Sequence, residues 1–190
     1  MKRLILAIIL TLFGFAANAQ TATAVKFPAV DASPLDIAYY PANGAKVKKE
    51  DSSMPVIKVL YSRPARKGRA VFGVLEPFNK VWRLGANEST EIYFDCAVTV
   101  GDTKLKAGKY SLFAIPSKDK WIVIFNKQTD RWGAFTYDQA KDIARVAVPV
   151  TTLEKPLEFF SIVFTDHTEG ANMIMAWDTT QVTLPIVFKK

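Results

Sequence analysis

From Leu35 onward, apolar side chains recur at every second position rather than at every third or fourth. The clearest run covers residues 91–100. Ile92, Phe94, Cys96, Val98 and Val100 share one face, and Glu91, Tyr93, Asp95, Ala97 and Thr99 share the other. A period of two belongs to a strand with one buried face, whereas a surface helix repeats near 3.6 residues. Shorter runs of the same kind occupy residues 56–61, 109–115, 121–126, 143–148, 158–165, 172–178 and 181–188. Turn residues separate several of them, among them Ser62-Arg63-Pro64, Gly101-Asp102, Ala107-Gly108 and Ser117-Lys118-Asp119-Lys120. Pro185 inside the last run points to an edge strand or a bulge, because proline offers no amide hydrogen to a ladder. Helical signals are confined to single turns near residues 77–82 and 137–142. Short strands at this spacing predict an all-β fold: a single antiparallel β-sandwich or barrel-like domain with one or two short helical turns, over residues 34–190.

The start of the chain follows a different logic. Met1-Lys2-Arg3 is a short positive stretch, residues 4–16 carry no charge, and Ala17-Asn18-Ala19 supplies small residues around a cleavage position. This is the pattern of a secretory signal peptide over residues 1–19; the apolar run is shorter than the roughly 20 residues needed to cross a bilayer as a helix. Residues 20–33 are small, polar and proline-containing, and are expected to form a flexible N-terminal segment. The expected location is periplasmic or extracellular, with no transmembrane segment after cleavage. Lys+Arg 25 against Asp+Glu 18 gives a net charge of +7. Loss of Lys2 and Arg3 with the leader would lower it to +5.

Composition narrows the chemistry. With 190 residues and 49% hydrophobic side chains, the chain can bury a core, which argues against disorder. One Cys and one His exclude a disulfide framework and a Cys/His zinc site. Cys96, on the apolar face of its run, reads as a small buried hydrophobe. His167 lies in a polar turn and has no nucleophile elbow to serve. No phosphate-binding glycine loop is present, so no nucleotide cofactor is indicated, and no other cofactor is expected. Asp138 and Asp142 could offer oxygen ligands, but match no calcium-loop spacing.

Two stretches carry unusual chemistry. Arg63, Arg66, Lys67 and Arg69 place four cations within seven residues, a pattern suited to clasping carboxylates or phosphates and equally to a solvated turn with internal ion pairs. Trp82, Arg83, Asn87 and Glu88 combine a stacking surface, a cation, an amide and a carboxylate. Those are the components of a sugar or polar-metabolite site, and also of a buried structural network. The candidate ligand-binding residues are therefore Arg63, Arg69, Trp82, Arg83, Asn87 and Glu88, with Glu88 a weak catalytic candidate beside Glu91, Asp138 and Asp142. A third group around Trp132, Phe135 and Tyr137 reads as core or lid aromatics. Nucleic acid is not an expected partner, because aromatic and basic residues interleave in one loop region only. No oligomeric state is specified.

Tyr61-Ser62-Arg63-Pro64, Lys67-Gly68-Arg69, Phe72-Gly73, Val81-Trp82-Arg83-Leu84-Gly85-Ala86-Asn87-Glu88, Ala107-Gly108-Lys109-Tyr110 and Trp132-Gly133-Ala134 together resemble an exported bacterial family, common in Bacteroidetes, catalogued as domain of unknown function 2911. The likeness covers roughly residues 33–187. It implies a secreted or periplasmic single domain and no activity to carry over. Three functional readings remain open: a domain binding a small polar or anionic ligand, possibly glycan-derived; a carboxylate-dependent hydrolase or lyase; and an envelope-assembly protein without a small-molecule site. Mass spectrometry of the exported protein should find its N-terminus at Gln20; an exported chain retaining Met1-Lys2-Arg3 would refute the leader.

Overall fold

The structure is a computed structural model that describes residues 23–42 and 56–188. The expected leader lies outside the described residues. Nine strands form among them: β1 Leu35–Tyr40, β2 Ile57–Ser62, β3 Thr90–Phe94, β4 Val98–Val100, β5 Thr103–Leu105, β6 Gly108–Pro116, β7 Lys120–Asn126, β8 Asp142–His167 and β9 Gly170–Phe188. They run antiparallel in the order β1-β2-β3-β6-β7-β8-β9-β4-β5. The all-β, sandwich or barrel-like expectation holds.

The alternating run over residues 91–100 is two strands, not one. β3 pairs with β2 and β6, whereas β4 pairs with β9 and β5, so the chain changes sheets at residues 95–97. Ile92, Phe94, Val98 and Val100 are all fully buried. Both halves therefore keep the same face turned inward, which is why the alternation runs unbroken through the crossing. Cys96 sits at that crossing, half-buried against the core.

The opposite merger occurs later. Residues 143–148 and 158–165 belong to the single strand β8, and residues 172–178 and 181–188 to β9. The first part of β8 pairs with β7, from Lys120↔Pro149 to Asn126↔Asp142, and the rest pairs with β9, from Val150↔Val182 to His167↔Gly170. Register shifts between Thr152 and Leu157, and between Leu157 and Ser161, interrupt that second ladder. Such irregularities bend a strand and let it serve both layers. Pro185 falls between the ladder of β9 with β8 and its ladder with β4, where its missing amide hydrogen costs no pairing.

Residues 77–82 are not helical. Trp82 exchanges two backbone hydrogen bonds with Ala114 of β6, and the Asn79 amide donates to the Pro116 carbonyl. The backbone groups a helical turn would use are taken by a strand. The second expected turn is present, as a 3-10 turn over Gln139–Lys141 capped by Asp138, whose carboxylate accepts from the Ala140 amide.

Trp82 is 2% exposed and packs among aromatics from several parts of the fold, with ring centroids 5.1 Å from Phe160, 5.6 Å from Trp121, 5.7 Å from Phe72 and 6.1 Å from Trp177. Strand β1 is tied down at both ends. Arg63 bridges its Asp36 to Ser161 and the Phe160 carbonyl of β8, and the Tyr40 hydroxyl donates to Asp166 and to the Gly170 carbonyl. No helix among the described residues is long and apolar enough to cross a membrane.

Gly170 opens β9 against the chain end. A Cβ there would stand 2.1 Å from the Ile186 carbonyl oxygen, a backbone atom that cannot rotate away. Gly170→Ala is expected to lower stability by about 1–3 kcal/mol, read as a lower urea midpoint with an unchanged slope.

Candidate functional site

The six residues singled out from sequence do not converge on one surface. Arg63 is spent inside the fold on Asp36 at 2.9 Å, Ser161 at 2.8 Å and the Phe160 carbonyl at 3.2 Å. Arg69 donates to the carbonyls of Arg66 and Ala65 at 2.8 and 2.9 Å, and Arg66 pairs with Asp178 at 3.4 Å. The basic cluster is thus largely a self-bonded turn. Its side chains pair with Asp36 and Asp178, and the Lys67 amide donates to the Glu158 carboxylate at 2.9 Å. Trp82 belongs to the core, its indole nitrogen donating to the Gly85 carbonyl at 3.1 Å. The Arg83 Nε is buried without a hydrogen-bond partner. Asn87 donates to Asp31 at 3.1 Å and so fastens the end of the N-terminal segment.

Of the six, Glu88 alone lines a cleft that brings together several of the chain's charged and aromatic groups. This cleft of about 460 Å3 is bordered by Leu35, Leu60, Tyr61, Ser62, Glu88, Ser89, Glu91, Asp130, Arg131 and Trp132. It lies where β1 and β2 meet two loops, residues 83–89 and 127–138. The loops are welded to each other through their backbones. Glu88 and Trp132 form an isolated bridge, the Ser89 amide donates to the Arg131 carbonyl at 2.9 Å, and the Gly133 amide donates to the Asn87 carbonyl at 2.9 Å. The buried Ser89 hydroxyl adds a bond to the Gly133 carbonyl at 2.5 Å. Leu84 and Asn87 take positive φ angles of 55° and 58° to make these turns, and between them Gly85 leaves no room for a Cβ, which would come within 2.9 Å of the Ser62 carbonyl oxygen.

Trp132 is held in place by this weld and is nevertheless 61% exposed. Phe135 is exposed as well, whereas Tyr137 is the lid: its ring meets Phe113 at 5.1 Å, and its hydroxyl donates to Asp142 at 2.6 Å while accepting from Arg145 at 3.0 Å. Burial and the Asp142 carboxylate push the Tyr137 phenol up to about 12. Asp142 also takes Arg145 and Asn126, and Asp138 caps the 3-10 turn, so both are engaged within the fold. No cluster of potential metal ligands exists among the described residues.

The charges of the cleft are unequally occupied. Lys109 pairs with both Glu91 at 3.2 Å and Asp130 at 2.6 Å, and the other Glu91 oxygen accepts the Asp130 amide at 2.7 Å. Hydrogen bonds from Lys109 and Thr129 hold the Asp130 carboxyl below its usual range. Glu88 has an exposed side chain and enters no ion pair among the described residues. The balance is Glu88, Glu91 and Asp130 against Arg131 and Lys109, a net negative surface in a chain that is positive overall.

The sequence reading of Trp132 and Phe135 as core or lid aromatics does not hold, since both are exposed, and Asp130 and Arg131 lie in the same polar stretch. Leu35, Ser62 and Lys109 carried no signal, since they reach the site through strand register alone. With this geometry in view, the chain belongs to the family described as Protein of unknown function (DUF2911), whose model matches residues 43–186. No curated protein and no solved structure matches it.

Beneath the loops, burial pushes the Glu76 carboxyl up to about 7, against an opposing pull from Arg83. A raised folded-state value favours the protonated form in the folded chain, so this contribution to stability is present below the ordinary value of 4.5 and lost as pH rises through 7. Urea unfolding between about pH 5 and pH 8 should show stability falling across that window in the native protein and a shallower fall in Glu76→Gln.

Proposed function

We propose, for a family whose description assigns no activity, that this chain binds a small polar ligand of glycan type in the cleft beside Trp132. One observation carries the reading: an indole exposed at the mouth of a cleft on a backbone that three hydrogen bonds hold fixed. An aromatic face left in water and prevented from moving is suited to covering the apolar face of a sugar ring. The ordering cost of that contact is met before the ligand arrives. Glu88 and the Arg131 guanidinium stand beside it as acceptor and donor for hydroxyl groups.

The charge of the cleft favours a neutral ligand over an anion, because its three carboxylates outnumber its two cations. Hydrolysis is the weaker reading. A carboxylate pair needs a second group free to hold or release a proton, and the other two carboxylates of the cleft are both ion-paired to Lys109. Export to the periplasm or cell exterior, which the N-terminal pattern supports, would put such a cleft where glycan fragments occur.

Isothermal titration of the purified protein against a panel of neutral oligosaccharides should detect binding to at least one. Trp132→Ala should weaken it by about 2 kcal/mol or more, roughly thirtyfold, without moving the melting temperature. Equal binding by the variant, or no binding by the native protein, would overturn the proposal.

A further inference from the structure

The cleft does not end at Glu91. A second depression of about 220 Å3 is lined by Lys58, Leu60, Glu91, Ile92, Tyr93 and Lys109. Leu60 and Glu91 line both, so the two depressions are one groove along β2 and β3. The register makes this explicit: Leu60 stands opposite Glu91 and Lys58 opposite Tyr93, with Lys109 of β6 opposite Tyr93 on the other side. These are the outward positions of strands whose alternate residues, Val59 and Ile92, are fully buried.

Tyr93 is 40% exposed. It is the large aromatic on the outward face of the strictly alternating run. It stands at one end of the groove and Trp132 at the other. Four residues of β2, from Ser62 to Lys58, separate the two ends, about 13 Å at the rise of an extended strand. The Lys109–Glu91–Asp130 ion-pair network joins the two halves and fixes the side chains where they meet. Between the aromatic ends the groove offers mixed hydrogen-bonding partners: Glu88, Glu91 and Asp130 as acceptors, Lys58, Lys109 and Arg131 as donors.

We infer that the ligand is a short oligosaccharide chain rather than a single sugar, lying along β2 and β3 with one ring over Trp132 and another over Tyr93. This rests on the reading of the Trp132 cleft as a glycan site and specifies its extent. A single sugar would fill one depression and leave the second aromatic in water. A linear chain covers both. Lys58, half-buried at the Tyr93 end, donates to the far ring.

The test is titration with a homologous series of neutral oligosaccharides, from monosaccharide to the longest soluble member, for the native protein, Tyr93→Ala, Lys58→Met and Trp132→Ala. Affinity should rise with chain length until both aromatics are covered and then level off. Tyr93→Ala should reduce the longer members about tenfold or more, to the level of the shorter ones, while leaving the shortest unchanged; Lys58→Met should do the same more weakly. Trp132→Ala should weaken every member. If affinity does not depend on length, or if Tyr93→Ala leaves the length dependence intact, the extended site is refuted while the Trp132 cleft stands. If Trp132→Ala changes nothing, or if no member binds, both fall. Each substitution is at an outward-facing position, and unchanged thermal unfolding of each variant keeps a loss of affinity distinct from a loss of fold.

Discussion

The indole of Trp82 is the peg on which the loops of this protein hang. It fills the space between the sheets, against Phe72, Trp121, Phe160 and Trp177, and its backbone is bonded in both directions to Ala114. Fixed at that point, the chain has only the turn at residues 83–89 in which to reach β3. The turn is closed by the Thr90 hydroxyl on the Leu84 carbonyl and by the Trp82 indole nitrogen on the Gly85 carbonyl. The outer edge of this turn then captures the second loop through Ser89. Trp132 is therefore positioned by a tryptophan on the other side of the sheet, through two hydrogen-bonded layers. Large aromatic burial supplies the stability, and the exposed aromatic borrows its rigidity.

Charge is distributed on the same plan. The basic stretch from Arg63 to Arg69 satisfies carbonyls and two distant carboxylates, and so acts as stitching between β1, β2, β8 and β9. Lys109, outside that stretch, instead holds two cleft carboxylates together. A buried-edge guanidinium with several acceptors is geometrically fixed in a way that a lone surface pair is not. The excess of positive charge over the whole chain thus says little about the groove, whose three carboxylates are matched by three cations.

The sequence showed the strands well because period-two burial survives every irregularity of the fold. Residues 91–100 show its limit: pattern reports which face is inward, not which sheet the face belongs to, so the crossing at Cys96 was invisible. The Pro77–Trp82 stretch failed as a helix for a related reason. Its backbone partners, Ala114 and Pro116, lie more than thirty residues away. For the candidate site, composition drew attention to six residues, of which the structure brings only Glu88 to the cleft. Trp82 and Trp132 are equally conspicuous in the sequence, and only tertiary contacts decide that one is core and the other surface. Tyr93 is an aromatic in the polar phase of an alternating strand, and only the tertiary structure shows that its neighbours line a depression.

The restraints on β1 have a consequence for solubility. A first strand with one free edge is a template for pairing with the edge of another chain. Here Arg63 clamps one end of that edge to β8 through Asp36, and Tyr40 clamps the other through Asp166 and Gly170. Both ends of β1 are thereby held against β8 and the start of β9. Two side chains thus spare the fold one route to intermolecular sheet growth.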